Sequence, residues 1–247
     1  MLSTEKKLSI VMPAYNEGEH IYQNLQIVSL TISKFIRRYE IIEVNDGSQD
    51  DTKSEIMRCM KNDTHIHIVS YKKNHGKGNA IKCGVSKATG DFIAFLDSDL
   101  DIPPSQIEQY MIPLINDKAD VVIGSKMHKE SKLEYPLIRK IISYGYYCML
   151  KILFRLGVKD TQTGLKVFKA DALKASMPLI RTQGFAYDIE ILVALNCRKY
   201  RIIEMPVKLL FRRGKGMGRI KLKDILKVFK DTWAIFYRAN LRKSYDK

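Results

Sequence analysis

Short apolar runs alternate with longer amphipathic segments through the first 125 residues, and this alternation constrains the fold more than any other feature. The apolar runs predict five strands, over 8–13, 40–44, 66–70, 91–96 and 120–123. The amphipathic segments have apolar residues at helical spacing and predict helices over 17–39, 52–60, 76–88 and 107–115. Alternating strands and helices indicate a Rossmann-like α/β fold, in which helices flank a mostly parallel central sheet.

Polar residues follow the predicted strands where each strand ends. Tyr15 and Asn16 follow the first strand, Asp46 follows the second, and the segment 97–101 follows the fourth. The segment 74–77, which includes Lys77, follows the third strand. Open α/β sheets bind ligands beyond the carboxyl ends of their strands, so we expect the functional site at this edge.

The fourth predicted strand ends in the sequence FIAFLDSDLD, which places Asp97, Asp99 and Asp101 at alternating positions. In extended backbone such residues share one face, and their carboxylates repel each other unless a cation lies between them. Carboxylate oxygens at an open site suit Mg²⁺ or Mn²⁺, and either ion can also bridge a diphosphate. The alternative is a solvated acidic turn ahead of Pro103 and Pro104.

Positive charge is concentrated late in the chain, whose net charge is +15. Residues 1–124 contain 14 Lys or Arg against 17 Asp or Glu, whereas residues 197–247 contain 16 against 4. This distribution suits an anionic partner: nucleic acid, an anionic membrane or a phosphorylated substrate. Two segments, 137–156 and 222–237, predict basic amphipathic helices that can lie on a membrane surface, or else pack on the core with a solvated basic face.

The four cysteines form no CxxC pair, which favours reduced thiols in the cytoplasm. No stretch of about 20 uncharged apolar residues occurs, so no transmembrane helix is expected. Together with the basic helices, this predicts a cytoplasmic protein that is peripheral on the cytoplasmic face of a membrane.

Four motifs occur in a fixed order: SIVMPAYNE, NDGSQDDT, NHGKGNAI and FIAFLDSDL. The series resembles the nucleotide-sugar-binding half of family 2 glycosyltransferases, which have the GT-A fold. The resemblance implies a base and ribose pocket lined by Pro13, Ala14, Tyr15 and Glu17. It also implies that Asp46 accepts a hydrogen bond from the base and that Lys77 lies near the base or phosphates. Asp97, Ser98 and Asp99 would then bracket the ribose, the diphosphate and the metal, with Asp101 as a further metal ligand. One departure is Asn45, where the family commonly has Asp.

The second half is similar to a narrower group, the polyprenyl-phosphate sugar synthases. The similarity lies in GSKM at 124–127, DTQTGLKVFKADAL at 160–173 and FAYDIEIL at 185–192. The last two motifs are more similar to the dolichyl-phosphate glucose branch. FRRGKGMGRI at 211–220 partly matches the mannose branch, so the donor stays open between UDP-glucose and GDP-mannose. The resemblance implies docking on the membrane directly or through a small membrane anchor subunit.

The resemblance implies one GT-A domain over 1–247. It divides into a nucleotide-sugar-binding half over 1–125, an acceptor half over 126–210, and a basic membrane-proximal loop and helix over 211–247. The acceptor would be polyprenyl or dolichyl phosphate, whose phosphate is already an anion and needs no strong general base. Positive charge must instead hold it in line with the anomeric carbon, and direct attack inverts that centre. The candidates for this role are Lys126, Arg139, Arg213 and Arg219, with Asp99 and Arg213 central to catalysis.

Three other interpretations compete with this one. A GT-A enzyme acting on a hydroxyl of a glycan would need a base, for which Asp188 is the candidate. A nucleic-acid-binding module is suggested only by the charge of 197–247, and no helix-turn-helix, RRM or zinc pattern supports it, so no nucleic acid partner is expected. A nucleotidyltransferase usually has a Gly-rich loop after the first strand, and PAYNEGEH is not one.

Overall fold

The computed structural model describes residues 2–131, 137–184, 186–210 and 222–246, without the helical side chains of 137–143 and 222–226. Arg213 and Arg219 lie outside these ranges, and Arg139 is described only as helical backbone. No helix in these ranges is long and apolar enough to cross a membrane.

The strands of the described residues form one seven-stranded sheet in the order β3-β2-β1-β4-β6-β5-β7. They are β1 (Leu8–Ala14), β2 (Tyr39–Asp46), β3 (Ile66–Tyr71), β4 (Phe92–Phe95), β5 (Val121–Ser125), β6 (Lys166–Lys169) and β7 (Ile202–Pro206). The five strands predicted from apolar runs are all present, as β1 to β5. The predicted α/β class with a mostly parallel sheet is confirmed.

Parallel pairing puts several carboxyl ends at one edge of the sheet. In β1, Ile10 pairs with Ile41 of β2 and with Ala94 of β4, and both pairings are parallel. β3 continues this direction beside β2. The loops that follow β1, β2, β3 and β4 therefore meet at the same edge, as the sequence predicts.

The sequence interpretation did not foresee β6, which comes from the second half and runs antiparallel between β4 and β5. Its Lys166 pairs with Phe95, the last residue of β4. Because β6 begins where β4 ends, the segment leading into it lies directly beside Asp97. A Cβ on Gly164 would lie 2.3 Å from Asp97 Oδ2, which shows how closely the two segments approach.

Eight α-helices are described. They are α1 (Ile21–Ile32), α2 (Thr52–Met60), α3 (Lys77–Lys87), α4 (Gln106–Ile115), α5 (Leu137–Phe154), α6 (Ala170–Ser176), α7 (Tyr187–Cys197) and α8 (Leu222–Phe236). A π-helical turn over Tyr237–Leu241 continues α8. The predicted first helix, 17–39, was too long. The chain leaves the helix after Ile32 so that Phe35 and Ile36 can pack into the core before β2 begins.

Helices cover both faces of the sheet, and each face has its own apolar cluster. One cluster includes Val11, Phe95 and Phe168 with residues of α3 and α7. The other includes Ile10, Met12 and Ala94 with residues of α1 and α4. Burying a large aliphatic or aromatic side chain contributes about 1.5–3 kcal/mol. Both faces of β1 and β4 are thus held in apolar packing, which fixes the strand ends that carry the polar residues.

Candidate active site

The end of β1 carries the residues predicted to line a base and ribose pocket. Ala14 is buried, whereas the side chain of Tyr15 is 41% exposed at the carboxyl edge. The Glu17 amide donates to Thr52 Oγ1 at 2.8 Å, which ties this loop to the start of α2. The structure brings Pro13, Ala14, Tyr15 and Glu17 together at one edge, and their contact with a nucleotide stays a prediction.

Asp46, at the end of β2, fixes the loop that precedes α3. Its two carboxylate oxygens accept hydrogen bonds from the backbone amides of His75 and Gly76, both at 2.9 Å. Gly76 has φ +92°, a conformation that favours glycine. Any hydrogen bond from a base to Asp46 must therefore use the lone pairs that these amides leave, and the predicted base contact stays a prediction.

Lys77 is the first residue of α3, and its Nζ lies 2.5 Å from Asp97 Oδ1. Burial alone would lower the pKa of Lys77, but the surrounding carboxylates, led by Asp97, outweigh it and raise this pKa. Burial alone would raise the pKa of Asp97, but Lys77 and two other lysines, Lys166 and Lys126, hold it below its usual value. Both groups are therefore charged, and Lys77 supplies positive charge at the strand end.

The segment that carries the three aspartates after β4 is a turn and not extended backbone, so the expected strand geometry of 97–101 was wrong. The strand ends at Phe95, and a turn follows in which the Leu100 amide donates to Asp97 O at 3.2 Å. Leu100 is fully buried and has φ +53°, a conformation that leucine rarely adopts. Backbone strain of this kind, about 1–3 kcal/mol, persists only where surrounding packing imposes it.

A divalent cation fits the charge of this turn, although its ligands do not form a complete cage. Burial, followed by the negative charge of Asp97, raises the pKa of Asp99 to about 6, which reflects an excess of buried negative charge. No group of three or more His, Cys, Asp or Glu side chains within the described ranges could hold a metal ion. Mg²⁺ is commonly bound by one or two carboxylates and completed by substrate phosphates and waters. Asp99 and Asp101 fit such a site, whereas Asp97 is engaged by Lys77.

Ser98 connects the acidic turn to the strands β1 and β2. Its Oγ lies 3.0 Å from Pro13 O and 2.7 Å from Oε1 of Glu43, a fully buried residue of β2. A hydroxyl has one proton, so both contacts are satisfied together when Glu43 is protonated and donates to Ser98. Burial raises the pKa of Glu43 to about 8, which agrees with a neutral carboxyl. The sequence interpretation missed Glu43, whose only signal is an acidic residue inside an apolar strand.

Lys166 and Asp188 form a buried ion pair below this turn. Lys166 Nζ donates to Asp188 Oδ1 and to Thr163 O, both at 2.6 Å, and the lysine side chain is 1% exposed. Asp188, in the first turn of α7, is thus joined to the strand β6 by a buried ion pair. Sequence reasoning missed Lys166, although a lysine in the strand LKVFK was an available signal.

Of the four predicted acceptor-phosphate residues, only Lys126 has a described side chain. Its Nζ lies 3.9 Å from Asp160 Oδ2, and its amide donates to the same oxygen at 2.9 Å. Asp160 also accepts from the Thr163 hydroxyl and the Gln162 amide, so it shapes the loop before β6. The roles assigned to Arg139, Arg213 and Arg219 stay predictions.

Comparison with known proteins bears on this arrangement. Residues 9–176 match the model of glycosyl transferase family 2, and this match covers more than half of the chain. The chain belongs to glycosyl transferase family 2. It is therefore a glycosyltransferase, as the motif series predicts.

The chain is similar to curated members of the family over most of its length. It is 32% identical to a dolichyl-phosphate beta-glucosyltransferase of Trichomonas vaginalis, over 95% of this chain and 75% of that protein. A Saccharomyces cerevisiae protein of the same name is 31% identical, over 91% of this chain and 72% of its own length. The Homo sapiens protein is 29% identical, over 83% and 68% respectively.

Solved structures show the same fold at low sequence identity. Glucosyl-3-phosphoglycerate synthase from Mycobacterium tuberculosis, in complex with UDP, superimposes with a TM-score of 0.68 at 18% identity, over 94% of this chain and 79% of that one. Its complex with Mn²⁺, UDP and phosphoglyceric acid gives a TM-score of 0.70 at 17% identity, over 94% and 78%. The expected GT-A fold is thus confirmed for this family 2 member.

Proposed function

We propose that this family 2 glycosyltransferase transfers glucose from UDP-glucose to dolichyl phosphate or a similar polyprenyl phosphate, with inversion at the anomeric carbon. The observation that carries the proposal is the similarity, over nearly the whole chain, to proteins named dolichyl-phosphate beta-glucosyltransferases. GDP-mannose is the second donor to test, because the segment 211–220, which lies outside the described residues, partly matches the mannose branch.

The donor would bind at the carboxyl edge of β1, β2 and β4. Lys77 would bind the diphosphate, because its charge and its position at the start of α3 both favour anionic oxygens. Asp99 and Asp101 would hold Mg²⁺ or Mn²⁺, and such an ion stabilises the charge that develops on a departing nucleoside diphosphate. The Mn²⁺ in complexes of the structurally similar synthase supports a divalent ion in general.

The acceptor requires positive charge rather than a proton acceptor. An oxygen of the lipid phosphate forms the new bond to the anomeric carbon, while the bond to the nucleoside diphosphate breaks and that group leaves as an anion. Lys126 lies near enough to lower the pKa of Asp97, which places a cation beside the acidic turn. Arg139, Arg213 and Arg219 are proposed to complete the phosphate site. Asp188 is less suited to act as a base, because its Oδ1 already accepts a hydrogen bond from Lys166 Nζ and its side chain is buried.

The membrane would be met by the C-terminal helix. Four large apolar side chains recur at every fourth residue along α8 and the π-helical turn, and each is 47–68% exposed: Phe229, Trp233, Tyr237 and Leu241. We call these residues the aromatic stripe. Arg242 lies over the Tyr237 ring, 5.3 Å from its centroid, and α5 packs alongside through Phe154 and Phe236. Interfacial helices combine an apolar face with basic residues in this way. The four free cysteines agree with a position on the cytoplasmic face.

The test is a radiolabel transfer assay in which UDP-glucose and GDP-mannose are offered separately to dolichyl phosphate, with Mn²⁺, with Mg²⁺ and with EDTA. We expect label from UDP-glucose to enter the lipid phase and this transfer to stop with EDTA. The variant Asp99→Ala tests the proposed metal site in this assay, and Asp171→Ala is its matched control. Asp171 is an exposed aspartate of α6, which begins at the opposite edge of the sheet because β6 runs antiparallel.

Label from GDP-mannose alone would replace the proposed sugar and keep the acceptor. Binding of UDP-glucose without any transfer to lipid phosphate would refute the proposed acceptor. A hydroxyl acceptor would then be tested, with Asp188→Asn as the decisive variant.

A further inference from the structure

A second buried acidic residue, Glu190 of α7, lies outside the site described above. Its side chain is fully buried, and Oε1 accepts hydrogen bonds from Arg238 Nη2 at 2.7 Å and from the Tyr245 hydroxyl at 2.5 Å. Arg238 Nε contacts Glu190 Oε1 at 3.1 Å and Tyr245 at 3.0 Å. Arg238 belongs to the π-helical turn and Tyr245 lies close to the C-terminus, so one carboxylate holds the end of the chain.

The other oxygen of Glu190 holds a different segment. Oε2 accepts the backbone amides of Arg181 at 3.0 Å and Thr182 at 2.7 Å. These residues belong to the connection between α6 and α7, which has no regular secondary structure over 181–183. Isolated backbone amides that point at a buried carboxylate fix a loop, because losing the acceptor would leave both donors unsatisfied. Glu190 therefore determines where residues 181–183 lie.

That connection in turn supports the start of α3, where Lys77 is the first residue. The Gly78 amide donates to Gln183 O at 2.8 Å. A Cβ on Gly78 would lie 2.7 Å from Tyr187 Cβ, and one on Gly76 would lie 2.9 Å from Gln183 O. Lys77 thus lies between two glycines whose backbones are in close contact with Gln183. A shift of Gln183 must therefore move Lys77, which pairs with Asp97.

We propose that Glu190 and Arg238 are positioning residues that set the geometry of Lys77 through the segment 181–183, so that donor binding depends on the C-terminal end of the chain. The series of hydrogen bonds runs from Arg238 to Glu190, from Glu190 to the amides of 181 and 182, and from Gln183 to Gly78. The part that concerns the nucleotide sugar rests on the function proposed above, whereas the structural linkage does not. The same π-helical turn carries Tyr237 of the aromatic stripe. The turn therefore belongs to the surface proposed to meet the membrane, and through Arg238 it also supports the start of α3 at Lys77.

The test compares Arg238→Met with Arg242→Met. Arg242 is exposed, lies one turn later and contacts the Tyr237 ring, so its replacement removes the same charge and keeps the Glu190 contacts. Amide hydrogen exchange of the peptide spanning 74–80 reports the linkage without any assumption about function. Binding of UDP to the full-length protein, and the KM values for donor and acceptor, report its consequence.

We expect Arg238→Met to speed exchange in 74–80 at least tenfold, to weaken UDP binding about tenfold and to raise the donor KM with the acceptor KM changed less than twofold. Arg242→Met should leave exchange in 74–80 and UDP binding within twofold of the wild type. Tyr245→Phe keeps the ring in the core and removes one hydrogen bond to Glu190. Tyr245→Phe should change exchange in 74–80, UDP binding and the donor KM in the same direction but less, by about threefold. It serves as the test if Arg238→Met does not fold.

Unchanged exchange in 74–80 for folded Arg238→Met or Tyr245→Phe would overturn the proposal. Faster exchange with unchanged UDP affinity would overturn its donor-positioning part, and a parallel loss of donor and acceptor use would indicate general destabilisation instead. If the wild type bound UDP but transferred nothing to lipid phosphate, the proposed acceptor would be wrong. The hydrogen-exchange and UDP-binding measurements would still decide the present proposal.

Discussion

Replacing Glu43 with glutamine tests whether a neutral carboxyl is built into the sheet beneath the acidic turn. Glu43 is fully buried, and among the described residues its Oε2 has no hydrogen-bond partner. Glutamine has nearly the same shape and is neutral at every pH, and its amide can donate to Ser98 Oγ as a protonated carboxyl would. The substitution therefore removes the ionisation of Glu43 and keeps its contact.

The expected effect follows from the raised pKa of Glu43, about 8 in the folded protein against 4.5 for an unperturbed glutamate. Between these values the folded state keeps a proton on Glu43 that the unfolded state releases. The free energy of unfolding therefore falls as pH rises, by about 1.4 kcal/mol per pH unit from this group. From pH 5.5 to pH 7.5, the wild type should lose about 3 kcal/mol relative to Glu43→Gln.

The assay is urea unfolding, followed by circular dichroism, of both proteins at pH 5.5, 6.5 and 7.5. Glu40→Gln is the matched control, because Glu40 lies on the same strand but is ionised. Burial would raise the pKa of Glu40, but hydrogen bonds from Lys7, Ser9 and Thr89 outweigh it and lower this pKa to about 2. Its contribution to stability is lost only as pH falls below 4.5 towards 2, so the difference between wild type and Glu40→Gln should be constant over the measured range.

Parallel pH profiles for the wild type and Glu43→Gln would refute the reasoning, because they would show that Glu43 has the same pKa in both states. A difference that grew in the opposite direction would show an ionised Glu43. Ser98 would then have to donate to it and leave Pro13 O without that hydrogen bond.

Three further outcomes are expected. Asp99→Ala should lower kcat/KM of the proposed transfer at least about 100-fold without changing the circular dichroism spectrum, because it would remove a ligand of the proposed metal ion. Lys166→Met should lower the free energy of unfolding in urea by about 3–5 kcal/mol, because it leaves Asp188 buried without its cation. Phe229→Ser with Trp233→Ser should weaken sedimentation with anionic vesicles by about 2 kcal/mol, or roughly 30-fold, through lost apolar contact with lipid.

Matched controls make these outcomes decisive. Asp171→Ala should retain activity, and full activity of Asp99→Ala would remove Asp99 from the metal site. Lys87 is an exposed lysine of α3, and Lys87→Met should change the free energy of unfolding by less than about 0.5 kcal/mol. An equally small effect of Lys166→Met would contradict a stabilising ion pair between Lys166 and Asp188. Leu30→Ser removes an exposed leucine outside the aromatic stripe. Equal vesicle binding by Leu30→Ser and the double variant would show that the stripe is not the membrane surface.

The strands β1 to β5 could be predicted because their information is local. Each is a short apolar run bounded by turn residues, and parallel pairing then places their ends at one edge, as Ala14 and Asp46 show. The motif series likewise identified the family, because its members lie in order along the chain. Helix ends were less accurate, since α1 stops at Ile32 where core packing of Phe35 overrides the continuing apolar pattern.

What the sequence by itself determined was the α/β class, the edge that carries the polar residues and the excess of basic residues in the later part of the chain. Only the tertiary structure decided which charges meet. Lys166 and Asp188 are 22 residues apart, and Glu190 reaches Tyr245 across 55. The physical reason is that β6 inserts antiparallel beside β4 and that the C-terminal end packs against α7, two placements set by burial of apolar faces rather than by any local pattern. An isolated lysine or glutamate in the sequence does not reveal its partner, because in solution each is stable alone, and pairing becomes necessary only once folding buries it.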